Sequence, residues 1–253
     1  TQPQSGTVIG LAFNLSSNVG TGSYFGMRQR FQLLPTEHLQ NSTTVAGIRD
    51  ASGGKIRNGQ AVGIWAIRFD SPHPGADYPH VNYNGEQLRN MPVGAPETDF
   101  TPHKKIPQAT LVATSYLQRG FTSLNRIAFP LAIGSDMARI GEAMDTDIRE
   151  PGGLGQNTLV TTSGVAGGWA GAWIGATVGA EVGAAGGSLV APGPGTVIGG
   201  FAGGVVGGVV GAYAGEVAAK EAAGAVYRHI EAIGEGYKRI LEANPDLYRG
   251  PRY

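Results

Sequence analysis

The chain has 253 residues, of which 42 are glycine and only 15% are charged, and its formal net charge at neutral pH is zero. This length accommodates two modest domains and a sizeable core. The balanced charge excludes a basic nucleic-acid footprint, and the absence of cysteine excludes disulfides and thiolate sites. The chain begins with Thr1 instead of methionine, which predicts a processed or excised protein.

The first 70 residues predict a small antiparallel sheet. Runs rich in β-branched and aromatic residues alternate with clusters of glycine, serine and asparagine, a pattern typical of strands separated by turns. The fourth run shows the clearest alternation of side chains, and we expect it to be the central strand. The predicted strands are Val8 to Leu15, Tyr24 to Leu34, Thr43 to Arg49 and Ala61 to Phe69.

Residues 70–107 form a connection rich in proline and histidine, which contains three of the five histidines in the chain. Such a long connection inside a compact domain is usually functional or poorly ordered. The run from His80 to Asn84 predicts a short strand beside the fourth one, which would place His80 and Asn82 on the same face.

Three interpretations of this histidine loop are open. In a metal-independent ribonuclease or phosphodiesterase, His80 and His103 would act as general acid and base, and Lys104 would stabilise the transition state. In a metal site, His73, Asp77 and His80 would be ligands, with His103 as a further ligand. In the third interpretation, these side chains only pack the loop over the sheet.

Other catalytic signatures are absent from the sequence. There is no cysteine nucleophile, no G-x-S-x-G elbow and no G-x-x-x-x-G-K-[ST] phosphate loop. We therefore expect no cofactor. The remaining histidine of the C-terminal half, His229, is expected to be a packing or surface residue.

Residues 107–149 predict two helices. Pro107 suits a first helical position, and the apolar face that follows continues to Leu124. A second helix is expected to start near Pro130 and to continue past Met144. Glycine and proline after Glu150 predict a linker, which divides the chain into domains over residues 1–150 and 151–253.

Residues 164–215 carry glycine at every fourth position in two blocks. Residues four apart lie on one helical face, so a row of glycines there allows another backbone to approach closely. The close packing offsets the low helix propensity of glycine. The break from Ala191 to Thr196 is a strong turn signal, and the blocks therefore predict an antiparallel helical hairpin. The packing glycines are Gly167, Gly171, Gly175, Gly179, Gly183, Gly187, Gly199, Gly203, Gly207, Gly211 and Gly215.

Charge is almost absent from the hairpin. Glu181 is the only charged residue between residues 151 and 215, and the 20 residues from Thr196 to Gly215 are long enough to span a bilayer core. Glycine and alanine supply much of the apolar content and favour membrane insertion less than leucine, isoleucine or phenylalanine, so we predict a hairpin that is competent for membrane insertion. Burial within a fold or an assembly is the alternative.

Residues 216–243 predict an amphipathic helix, with favourable four-apart pairs such as Glu216 and Lys220.

Four segments together resemble terminal modules of polymorphic toxins that carry a glycine zipper. These segments are Phe69 to Asn84, Pro102 to Pro107, Asp136 to Gly141 and Gly167 to Trp173. The resemblance covers about residues 60–215. It implies a secreted or delivered effector that acts on membranes, and it supplies no catalytic residues.

The sequence predicts an α+β protein with a β-rich N-terminal domain, the zipper hairpin and a C-terminal amphipathic helix. The leading functional hypothesis is a secreted, toxin-like effector whose hairpin inserts into a membrane or oligomerises there. The alternatives are a self-assembling filament or shell protein and the metal-independent hydrolase described above. The expected partners are therefore a membrane or further copies of the chain, and not nucleic acid.

Overall fold

A computed structural model describes residues 8–35, 39, 42–52, 56–57, 60–61, 64–89, 102–149, 155–191 and 194–244. Its architecture is α+β, as predicted, with the strands in the N-terminal part and long helices towards the C-terminus. The elements in chain order are α1 (Val8–Gly26), β1 (Phe31–Leu33), β2 (Thr44–Asp50), β3 (Ile56–Arg57), β4 (Gln60–Ala61), β5 (Ile64–Asp70), β6 (His80–Tyr83), α2 (Gly85–Arg89), β7 (Lys104–Lys105), α3 (Gln108–Arg149), α4 (Gln156–Val190) and α5 (Pro194–Ala243).

Five strands form one antiparallel sheet in the order β1-β2-β5-β6-β7, and β3 pairs separately with β4. The central position of β5 confirms the position predicted for the fourth strand. β6 pairs with β5 and confirms the short strand predicted at His80, with His80 opposite Asp70. His80 and Asn82 are both buried, as expected for residues two apart on one strand face.

Two of the predicted N-terminal strands are wrong. Residues 8–26 form α1, which replaces the strand predicted over Val8 to Leu15. Of the strand predicted over Tyr24 to Leu34, only Phe31–Leu33 is a strand.

Packing against the hairpin explains why residues 8–26 are helical in spite of their β-propensity. Asn14, Asn18, Gly22 and Gly26 recur every four residues and so share one helical face. A Cβ atom added to Gly22 would lie 2.4 Å from the Cα of Val209, so the backbones of α1 and α5 are in close contact. Tertiary contact of this kind routinely overrides local propensity.

Two predicted helix boundaries are also wrong. Residues 108–149 form a single helix with Pro130 inside it, and α5 joins the second glycine block to the amphipathic segment predicted over 216–243. A proline in a helix interior costs about 3 kcal/mol, so packing has to offset it. Ala128 and Ala132, on either side of Pro130, are completely buried, and a Cβ on Gly20 of α1 would lie 2.8 Å from the carbonyl oxygen of Ala128.

The two glycine blocks face each other within one chain, which confirms the predicted antiparallel hairpin. A Cβ atom added to any glycine of the first block would lie only 2.0–2.4 Å from a carbonyl oxygen of α5. Residues 192 and 193 of the predicted turn lie outside the described residues. The facing pairs are Gly167 with Gly215, Gly171 with Gly211, Gly175 with Gly207, Gly179 with Gly203, Gly183 with Gly199, and Gly187 with Gly195.

One hydrophobic core joins the sheet to the hairpin. Phe31 of β1 and Ile67 of β5 belong to the same buried cluster as Val197 and Phe201 of α5. The predicted domains over 1–150 and 151–253 therefore share core contacts. Their division near residue 150 stays a prediction, and residues 150–154 of the predicted linker lie outside the described part of the chain.

Asp147, near the C-terminus of α3, caps the N-terminus of α4. Its Oδ1 accepts hydrogen bonds from the backbone N–H and the Nδ2 of Asn157, at 3.0 and 2.9 Å. Its Oδ2 accepts bonds from the backbone N–H and the Oγ1 of Thr158, at 2.8 and 2.6 Å. Burial raises the pKa of the Asp147 carboxyl, but the hydrogen bonds from Thr158 and Asn157 outweigh burial, so the pKa lies below its usual range.

Replacing Asp147 by alanine is expected to lower the free energy of unfolding by about 1 kcal/mol at neutral pH, the usual value of a helix N-cap. Because folding lowers the pKa of Asp147, the stability that this cap contributes is fully present above the unfolded pKa of about 3.9. It is lost as the pH falls through the pKa of the folded protein. Urea denaturation should therefore separate Asp147→Ala from the wild type at pH 7 and much less at pH 3. Asp145→Ala, at an exposed residue of the same turn, is the control, and a difference independent of pH would contradict this assignment.

Candidate functional site

The hairpin carries two further rows of residues at the four-residue period of its glycines. The residue after each glycine lies in an inner row that faces α1, where Gly22 approaches Gly208 and Gly26 approaches Gly204. These residues are small and buried, except for the half-buried Ala184 and the charged Glu216. The residue before each glycine is exposed, and we call these two rows together the outer face. Its larger members, all 46–66% exposed, are Ile174, Val178, Val182, Ile198, Val206 and Val210.

No charged residue occurs in the outer rows, which comprise every fourth position over 166–186 and 198–214. Glu181 is exposed in the row next to Val182, and Trp173 and Tyr213 are exposed nearby. By length and composition, α5 is the one described helix that is long and apolar enough to cross a membrane, although core helices of soluble proteins also meet this criterion. The outer face is therefore an extended apolar surface to which α4 and α5 both contribute.

A buried polar network fixes the end of the hairpin remote from its turn. Glu216 terminates the inner row of α5, and its carboxylate binds Arg139 of α3 and Asn18 of α1. Lys220 lies 2.5 Å from the same carboxylate, which confirms the predicted four-apart pair. Asp136 accepts hydrogen bonds from Ser17, Arg139 and the indole of Trp169, so all four long helices meet in this network.

The second candidate site lies at the edge of the sheet, where three histidines converge. Their ring centroids are 4.8–5.6 Å apart, and their candidate ligand nitrogens all lie within 4.8 Å of one another. We call His73, His80 and His103 the histidine cluster.

His73 is positioned by a tight turn after β5. His73 and Ala76 exchange two backbone hydrogen bonds of 2.9 Å around Pro74 and Gly75. Gly75 has φ +99°, a value that glycine adopts at no steric cost, and proline before it suits the first central position of such a turn. The Nδ1 of His73 lies 2.9 Å from the carbonyl oxygen of Pro74, which leaves Nε2 as the free ring nitrogen.

His80 begins β6 and is completely buried. Its Nδ1 lies 2.9 Å from the carbonyl oxygen of Tyr78, so this nitrogen carries the proton and donates it. Its Nε2 has no hydrogen-bond partner among the described residues and lies 3.8 Å from Oδ2 of Asp70, beyond hydrogen-bonding distance.

His103 precedes β7 and has φ +62°, an uncommon conformation for a residue other than glycine. Its backbone N–H donates to Oδ1 of Asn82 at 2.9 Å, and Nδ2 of Asn82 donates to Asp70 at 2.6 Å. Thr44 also donates to Asp70, at 2.6 Å. The buried carboxylate of Asp70 thus orients Asn82, which in turn holds the backbone of His103.

The structure brings together some of the predicted site residues and not others. His80 and His103, the predicted acid and base, are neighbours, and His73 joins them. Asp77 is exposed and lies outside the group of converging ligand atoms, where His103 takes its place. Lys104 is exposed on β7, one residue after His103.

Sequence reasoning missed Asp70 and Asn82 as the supports of the cluster, and it treated His73 only as a metal ligand. The Pro-Gly pair after His73 was the available signal for a turn that returns this histidine to the sheet. His229 is exposed on α5, as expected, and His38 lies outside the described residues.

Comparisons of the chain with protein-family models, with curated proteins and with solved structures gave no match. The resemblance to polymorphic-toxin modules stays a prediction. Function is therefore inferred from the outer face and from the histidine cluster.

Proposed function

We propose that this chain is a toxin-like effector that attaches to a lipid membrane through the outer face of its hairpin. The observation that supports the proposal is the exposed, uncharged surface formed by the outer rows of α4 and α5. Contiguous apolar surfaces of this kind mark protein or membrane interaction sites. The resemblance of the histidine loop and the zipper to toxin modules supports the effector part of the proposal.

The dimensions of the hairpin suit a bilayer. The outer row from Ile198 to Ala214 has a length of about 24 Å at 1.5 Å per residue, against about 30 Å for the hydrocarbon core. Backbone groups inside both helices are already hydrogen-bonded, which is a requirement for entering lipid. The closed glycine rows also leave the apolar side chains directed outwards, towards lipid.

Glu181 limits how deeply the hairpin can enter lipid. A carboxylate within the hydrocarbon core has to be neutral or paired, and Glu181 is exposed beside the outer face. Neutralising it in a Glu181→Gln variant should therefore increase binding to membranes.

Flotation of the full chain with phosphatidylcholine and phosphatidylglycerol liposomes tests the proposal, with dye leakage as a second readout. The wild type should float with the vesicles and release dye between pH 4.5 and 7.5. In a Val178→Lys/Val206→Lys variant the bound fraction should fall roughly tenfold or more, since one lysine at a helix centre costs about 2.5–3.5 kcal/mol in the membrane.

The matched control is Ser123→Lys/Gly141→Lys, which adds the same charge at exposed positions of α3 and should float like the wild type. Equal flotation of the wild type and both variants would mean that the outer face does not bind the membrane. Large regular particles formed without lipid, and lost in the Val178→Lys/Val206→Lys variant, would favour self-assembly of the chain instead.

A further inference from the structure

The geometry points to a binding site for one divalent transition-metal ion, such as Zn²⁺, formed by His73, His80 and His103. This inference does not depend on membrane attachment. The candidate ligand nitrogens lie within 4.8 Å of one another. Nitrogens bound at about 2.0–2.1 Å to a tetrahedral ion are about 3.3 Å apart, so the widest pair has to close by roughly 1.5 Å.

In two of the three rings, a hydrogen bond at Nδ1 leaves Nε2 available to bind an ion. In His73 and His80, Nδ1 faces a backbone carbonyl oxygen at 2.9 Å. A histidine that binds metal through one nitrogen commonly donates its other N–H to a carbonyl or carboxylate, which fixes the ring orientation. His73 and His80 already have this arrangement, with Nδ1 at a carbonyl oxygen and Nε2 available for an ion.

The buried Nε2 of His80 provides independent evidence for a ligand. It has no hydrogen-bond partner among the described residues, although the side chain is completely buried. An unsatisfied buried polar group costs about 1–3 kcal/mol and is rare in native proteins. Coordination of an ion between the three rings would satisfy this nitrogen.

The third ligand is held by a supporting shell. His103 has φ +62°, and its backbone N–H is bound by Asn82, which itself donates to Asp70. Uncommon backbone conformations persist where surrounding structure imposes them, and they cluster at functional sites. The hydrogen bonds from Asn82 and Thr44 engage both oxygens of Asp70, which gives Asp70 a positioning role.

The donor set selects the type of ion. Three imidazoles suit Zn²⁺, Cu²⁺, Ni²⁺ or Fe²⁺, whereas Mg²⁺ and Ca²⁺ prefer oxygen ligands. Three protein ligands with one remaining coordination position are typical of catalytic zinc, where the fourth ligand is water. His73 and His103 are only partly buried, so solvent reaches this side of the cluster.

Metal binding to the full chain, freed of metal with a chelator and returned to chelator-free buffer, tests the inference. Titration with Co²⁺ should give visible absorption bands of a four- or five-coordinate site that saturate at one equivalent. Competition with a chromophoric chelator gives the affinity for Zn²⁺. His73→Gln and His103→Gln should each weaken binding by about a hundredfold or more, and Asn82→Ala by about 10–100-fold.

His73 and His103 are chosen because His80 is completely buried and its replacement can disturb folding; circular dichroism checks that each variant is folded. His229→Gln and Asp77→Asn are the controls and should bind like the wild type. Unchanged affinity in the His73 and His103 variants would overturn the site. The metal site would also be overturned if the chain bound no metal but cleaved RNA in the presence of a chelator, and if this cleavage were lost in His80→Ala and His103→Ala. That result would favour an acid–base pair.

Discussion

Replacing Gly207 by alanine is expected to lower the free energy of unfolding by about 1–3 kcal/mol, the usual cost of overpacking a tight contact. The new Cβ would lie 2.2 Å from the carbonyl oxygen of Gly175 and 2.8 Å from the Cα of Gly179. Both are backbone atoms, so no side-chain rotation relieves the clash. The two helices would have to separate, which also weakens the glycine contacts on either side of the substitution.

Gly186→Ala is the matched control, because it makes the same substitution inside α4 at a glycine with no atom within 4 Å of the added Cβ. Alanine favours a helix over glycine by about 1 kcal/mol, so this variant should be unchanged or more stable. Urea denaturation monitored by circular dichroism measures both variants. If Gly207→Ala were stabilised as much as Gly186→Ala, the zipper could not be closely packed.

The hairpin was predictable because its packing is encoded locally. A glycine every fourth residue specifies both the face of the helix and the close approach of its partner, and the Pro-Gly turn supplies the antiparallel direction. The central strand and the strand at His80 were predictable for the same reason, since alternation of side chains is visible within a few residues.

The errors arose where distant contacts decide the local structure. α1 is helical because Gly22 and Gly26 pack on α5, which lies about 180 residues further along the chain. Pro130 lies inside a continuous helix because the alanines around it pack on α1. The four-residue spacing of Asn14, Asn18, Gly22 and Gly26 was a usable signal, since it continues the period of the zipper.

The histidine cluster was predictable in composition and not in geometry. Residue types suitable for acid–base or metal chemistry were evident in the loop, but the distances depend on the turn at Gly75 and on the backbone of His103. The sequence favoured Asp77 over His103 as the third ligand, although spacing in a long loop does not determine which side chains meet.

Arg139→Met is expected to lower the free energy of unfolding by about 3–5 kcal/mol, the usual cost of removing one partner from a buried ion pair. Arg139, Asp136 and Glu216 are each at least 90% buried, and the guanidinium contacts both carboxylates. Lys220 remains on Glu216, whereas Asp136 keeps only neutral donors from Ser17 and Trp169. Asp136 would then be a buried carboxylate without a cation, while Glu216 would keep only the partly exposed Lys220 as a cation.

Arg149→Met tests the same change at the C-terminus of α3, where the arginine and its partner Asp145 are 76% and 57% exposed. Exposed pairs contribute about 0–1 kcal/mol, so this control should unfold at nearly the wild-type urea concentration. Adding Asp136→Asn to Arg139→Met should restore part of the lost stability, because Asp136 is the buried carboxylate that loses its cation. A loss no larger than that of Arg149→Met would mean that the network does not fix α3 and α1 to the hairpin. Because Glu216 ends the inner row, its contacts with α1 and α3 also set the register in which the hairpin packs against them.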